Sequence, residues 1–171
     1  MALLVETGDL SEPNAESYVT VAEADTYLAA RGNPASWDTL TTSDKEEALR
    51  IATQYLETSY RFRGHLIDTT QSLSFPRTEF YNEDCRLLAG AGVIPVSLKN
   101  AQIELALRHV IQDLFLDTSP SAQYIKREKV DVHEVEYNGT NRTTTPTFGY
   151  VARLLKDYVL SGLSQVRIIR G

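Results

Sequence analysis

Apolar residues recur along the chain with two periods. The earliest helical stretch opens at Thr20, followed three residues later by Glu23, the pairing of a capping box. Ala24, Tyr27 and Leu28 then fall at i, i+3 and i+4 on one face. Gly32 closes this helix and Asn33-Pro34 forbids its continuation. A second helix is predicted from Ser43 as N-cap with Glu46 three residues on, its inner stripe formed by Ala48, Ile51, Ala52, Tyr55 and Leu56, and its end near Tyr60. Trp37 and Leu40 precede it and are placed to staple the connecting loop onto the core.

From Arg61 to Pro95 the periodicity is lost, and Gly64, Pro76, Gly90, Gly92 and Pro95 break the chain. A third helix is predicted from about Ser97 to Leu116. Leu98, Ala101, Ile103, Leu105, Leu107, Val110, Ile111 and Leu114 cover more than one of its faces, as expected of a central core helix or one that meets a neighbouring subunit.

After Pro120 the period drops to two. Val130 and Val132 alternate with charges, and Val135 and Tyr137 continue on the opposite parity, which predicts one or two strands with a bulge or turn near His133. Asn138-Gly139 is a hairpin-turn signal and Thr140–Thr147 reads as a polar loop. Val151, Leu154, Leu155, Tyr158 and Val159 predict a final helix ended by Gly162. The expectation is a mainly α protein: a small helical bundle with a short β-hairpin or strand pair and extended N- and C-terminal arms. As one domain it would comprise an N-terminal arm 1–18, a helical part 19–116, a β/loop insertion 124–147, a final helix 148–162 and a C-terminal arm 163–171.

The 171 residues carry 42% hydrophobic and 23% charged side chains, an ordinary globular balance. No apolar run approaches the roughly 20 residues of a membrane span, and Met1–Glu6 lacks the basic start of a signal peptide. A single cysteine, Cys85, excludes an intrachain disulfide, so folding in a reducing cytoplasm is expected. The net charge of −6 is uneven: residues 1–60 hold 11 acids against three bases, and the rest is nearly neutral. Tight non-specific DNA binding depends on neutralising phosphates, so this balance disfavours it.

Candidate chemistry is sparse. His65, His109 and His133 lie in no metal-ligand spacing, and no cofactor motif occurs. Glu83 and Asp84 beside Cys85 would raise rather than lower its thiol pKa. Neither an enzyme nor a cofactor is expected. Tyr60-Arg61-Phe62-Arg63 interleaves aromatic and basic side chains, which fits either a single-strand nucleic-acid contact or a helix end with bases near its carbonyls. Ser74-Phe75-Pro76-Arg77 reads as a rigid turn with Phe75 as a core anchor. Gln165-Val166-Arg167-Ile168-Ile169-Arg170 is too apolar for a frayed tail, and would add a strand to its own sheet or to a partner.

Several segments in fixed order carry a resemblance. Glu16–Gly32, Trp37 with Leu40, Lys45–Thr53, Leu73–Thr78, Ile94-Pro95 leading into Ala101–Ala106, and Val130–Tyr137 resemble a tailed-phage family of head–tail adaptor proteins, also labelled DnaT-like single-strand DNA-binding proteins. The resemblance spans about residues 16–160. It implies a mostly helical subunit without catalytic residues, located in the virion neck and assembled in the host cytoplasm. Copies would form a ring, twelve-fold, beneath the portal protein. The ring would pass duplex DNA through its lumen without binding it specifically, and would offer a platform to a tail-side neck or tail terminator protein. Residues 165–170 would then reach the portal or a neighbouring copy.

Overall fold

The computed structural model describes residues 2–81, 85–115, 127–130, 133–136 and 148–162. The chain forms two compact units: Met1–Leu114 with Phe148–Gly171, and Phe115–Thr147. The larger unit holds five helices among the described residues, α1 (Val21–Ala29), α2 (Ala35–Asp38), α3 (Thr42–Ser59), α4 (Val96–Ile111) and α5 (Gly149–Leu154). Two small antiparallel sheets accompany them. One pairs β1 (Tyr60–Phe62) with β6 (Val159–Gly162), and the other pairs β2 (His65–Leu66) with β3 (Arg77–Thr78). In the smaller unit β4 (Arg127–Val130) and β5 (His133–Glu136) form an antiparallel hairpin, with Arg127 opposite Glu136 and Val130 opposite His133. The protein is thus mainly helical with short strand pairs.

The caps show why helices begin where they do. At α1, Thr20 is extended and its hydroxyl accepts from Glu23 N (3.1 Å), while Thr20 N donates to the Glu23 carboxylate (2.8 Å). At α3 the expected Ser43–Glu46 box is displaced by Thr41 and Asp44: Thr41 is extended, and its hydroxyl accepts from Asp44 N at 3.3 Å. Both pairs carry the same signature two residues apart. The earlier one captures the orphan amides, and Ser43 becomes helical. α4 ends at Ile111 rather than near Leu116, because Gln112 turns extended (φ −151°, ψ 149°). Arg108 and His109 occupy its last turn, where cationic groups complement the carbonyl end.

α3 and α4 pack on each other around Leu49, Ala52, Leu56, Leu98, Ala101 and Leu105, all buried. Trp37 on α2 is 1% exposed and its Nε1 donates to Asp25 Oδ1 at 2.7 Å, pinning α2 to α1. Lys45 Nζ reaches the same carboxylate at 2.9 Å. Burial works to raise the Asp25 pKa, but the bonds from Lys45 and Trp37 and the lysine charge bring it below the usual range.

Residues 2–18 form a bridged extended stretch and a loop. Val5 bridges Ser17 in parallel, Glu6 N donates to Ser17 O at 2.9 Å, and Ala15, Ser17 and Tyr18 are buried. Gly8 (φ +106°) sits against the 90–95 loop so tightly that a Cβ there would meet Gly92 O at 2.0 Å. The predicted final helix 148–162 is helical only from Gly149 to Leu154. Residues 155–158 turn, and Val159–Gly162 pair with β1, Tyr60 opposite Gly162 and Phe62 opposite Val159. The β1 edge offers backbone partners there, and β-branched Val159 fits a strand. The C-terminal arm 163–171, the Asn138-Gly139 turn and the 140–147 loop lie outside the described residues.

Candidate functional site

Several of the motif residues quoted above converge on one network. Gln102, fully buried on α4, accepts from Tyr18 N (3.1 Å) and donates through Nε2 to Ser17 Oγ (2.6 Å) and Leu49 O (3.2 Å). The Tyr18 hydroxyl donates to Glu57 on α3 (2.5 Å) and accepts from Phe75 N (3.2 Å). Glu57 also receives Ser74 N (3.1 Å) and Ser74 Oγ (2.5 Å). Burial first, then the Glu57 charge, pushes the Tyr18 hydroxyl well above its ordinary pKa, so it stays protonated as the donor. Arg77 completes the turn, donating from Nε to Arg63 O (2.6 Å), from Nη1 to Ser74 O (3.1 Å) and from Nη2 to Gly64 O (2.7 Å). Each of these groups ties one chain segment to another. The arrangement offers chemistry of position, with no nucleophile beside a base.

The Tyr60–Arg63 patch is largely consumed by the fold. Phe62 is 5% exposed and lies edge-on to Phe75 with ring centroids 5.0 Å apart. Phe75 continues edge-on to Tyr18 and Phe80, and Phe80 stacks on Tyr158. Tyr60 is half-buried, edge-on to Tyr55 at 6.5 Å, and its hydroxyl is pushed up to about 12, mainly by burial. Arg63 donates from its backbone to Tyr158 O (3.0 Å) and from Nε to Val159 O (3.2 Å). Of the four, Arg61 alone is exposed. Tyr60 caps the C-terminal end of α3, its N–H bonding Leu56 O, and Tyr60–Phe62 then continue as the strand β1 with Phe62 turned inward.

The family model described as "Putative DnaT-like ssDNA binding protein" matches residues 1–171. The chain belongs to this family. No curated protein and no solved structure matches it.

In this member of the family the other candidate groups stand apart. His65 is exposed, 3.6 Å from Glu79. His133 lies in β5, and His109 lies at the end of α4. Cys85 is exposed. Among the described residues no cluster of three His, Cys, Asp or Glu could hold a metal ion, and no helix is long and apolar enough to cross a membrane. The partner-binding candidates Gln165, Val166, Arg167, Ile168, Ile169 and Arg170 lie outside the described residues. Sequence reasoning missed Gln102, Glu57 and Arg77 as the network's centres. For Gln102 a signal existed: it falls four residues after Leu98 and three before Leu105, one amide on the apolar face they define. Such a group needs a buried partner.

Proposed function

We propose that this protein is a structural adaptor of the tailed-phage virion neck, assembled in the host cytoplasm. Copies associate as a twelve-fold ring beneath the portal, extend the channel through which duplex DNA passes, and give a platform to a tail-side neck or tail terminator protein. The observation that carries this reading is the fate of the shared motif residues. Ser17, Tyr18, Leu49, Phe75 and Gln102 bind one another and Ser74 joins them through Glu57, so these residues serve the scaffold and leave the work to its surfaces. The acid excess of residues 1–60 suits a channel wall that must not hold a passing duplex. The cationic, β-branched segment 165–170 suits contact with a neighbour.

The family description favours a second reading, a single-stranded DNA-binding protein. Stacking would then fall to Tyr60 and Phe62 and phosphate contact to Arg61 and Arg63. The burial of Phe62 and the carbonyl bond of Arg63 weigh against that use. Two assays separate the readings. Capture on immobilised portal protein is expected for an adaptor. A labelled oligonucleotide is expected to show no anisotropy change at low salt. Salt-sensitive oligonucleotide binding that falls on Arg61→Ala, with no capture by portal, would replace the adaptor by the DNA-binding reading.

A further inference from the structure

An open groove of about 300 Å³ lies between the start of α3 and the end of α4. Leu40, Ala48 and Val110 give it an apolar lining, and Asp44, Glu47 and His109 give it polar groups. Asp44 is committed to the cap of α3. Glu47 is exposed, with no hydrogen-bond or ion-pair partner among the described residues. The nearest bases along α3 are spent elsewhere, Lys45 on Asp25 and Arg50 on Glu16 and Glu46. His109 contributes Nδ1, the single buried side-chain nitrogen or oxygen among the described residues that has no hydrogen-bond partner. A buried polar atom left unpaired needs an explanation, and a surface completed by another chain is one.

The chain itself carries a matching segment. Residues 163–171 contain Val166, Ile168 and Ile169 together with Arg167 and Arg170, and no acid. We propose that the groove of one copy receives this segment from a second copy. Bound as an extended strand, Val166 and Ile168 share one side and meet the Leu40–Ala48–Val110 lining. Arg170, on that side, and Arg167 answer the carboxylates of Glu47 and Asp44. Nine residues reach about 30 Å when extended. A contact that joins two different surfaces, groove to tail, is heterologous and closes into a ring when the rotation allows. The inference rests on the adaptor reading, which sets copies side by side.

Two measurements test it on the full chain. A fluorescein-labelled peptide of residues 163–171 is titrated into the protein and followed by anisotropy. Saturable binding is expected, weakened at least tenfold by Glu47→Arg and regained on that variant by a peptide with Arg167→Glu and Arg170→Glu. A peptide that does not bind, or binds wild type and E47R alike, overturns the proposal. In the second measurement two C85S chains are mixed, one carrying Val110→Cys and the other Ile168→Cys. A disulfide between the two chains is expected. Failure to form it, with closure only inside a chain carrying both cysteines, would place the tail in its own groove and overturn the exchange between copies. Portal is absent from both assays. Peptide binding by a chain that ignores portal would keep the groove and discard the adaptor, and the opposite pattern would do the reverse.

Discussion

Gln102 and His109 stand seven residues apart on α4, two turns along the same side, and their surroundings differ sharply. Gln102 is sealed, and both ends of its amide bond to Tyr18, Ser17 and Leu49. His109 lines an open groove, and its buried Nδ1 has no partner. The middle of the helix finishes the subunit, and its last turn leaves a surface unfinished. The comparison separates residues spent on the fold from residues left for a neighbour.

The sealed side gives the largest effects. Phe62→Ala empties a position between Phe75 and β6, and is expected to cost about 3–5 kcal/mol in chemical denaturation. A folded protein of wild-type stability would mean that the ring is a surface contact after all. Gln102→Leu keeps the bulk but strands Tyr18 N–H, and is expected to cost about 1–3 kcal/mol in the same assay. On the open side the sign changes. His109→Leu removes a buried nitrogen that has no partner, so its melting temperature is expected to match or slightly exceed wild type, within about 1 kcal/mol. A loss as large as that of Gln102→Leu would erase the contrast. Deleting residues from Gln165 onward is expected to move stability least, within about 0.5 kcal/mol, while weakening assembly onto partners. Unfolding on truncation would assign the tail to its own core.

Local signals were readable where a few neighbouring residues decide the outcome. Thr20 with Glu23 marked the start of α1, and the apolar faces of α4 marked the central helix. The start of α3 slipped by two residues because Thr41–Asp44 and Ser43–Glu46 are both competent boxes, and only the bonding shows which one closes. Long-range pairing was the harder part. Residues 159–162 carry the last apolar positions of a helical stripe, yet they become a strand because β1, some hundred residues earlier, offers an edge. Tyr60-Arg61-Phe62-Arg63 stayed ambiguous for a related reason. Alternating rings and bases fit a nucleic-acid contact as well as a helix end, and the packing of Phe62 on Phe75 depends on a residue outside the segment. The groove has no linear signature, since Leu40, Glu47 and Val110 meet only after α3 and α4 pack.

The most direct test of the adaptor role is the mass distribution, by mass photometry, of purified portal protein mixed with an excess of this chain. The account predicts a discrete heavier species, the portal plus a full ring of copies, that withstands removal of the excess. Portal particles of unchanged mass, beside a chain that stays unassembled, would contradict it.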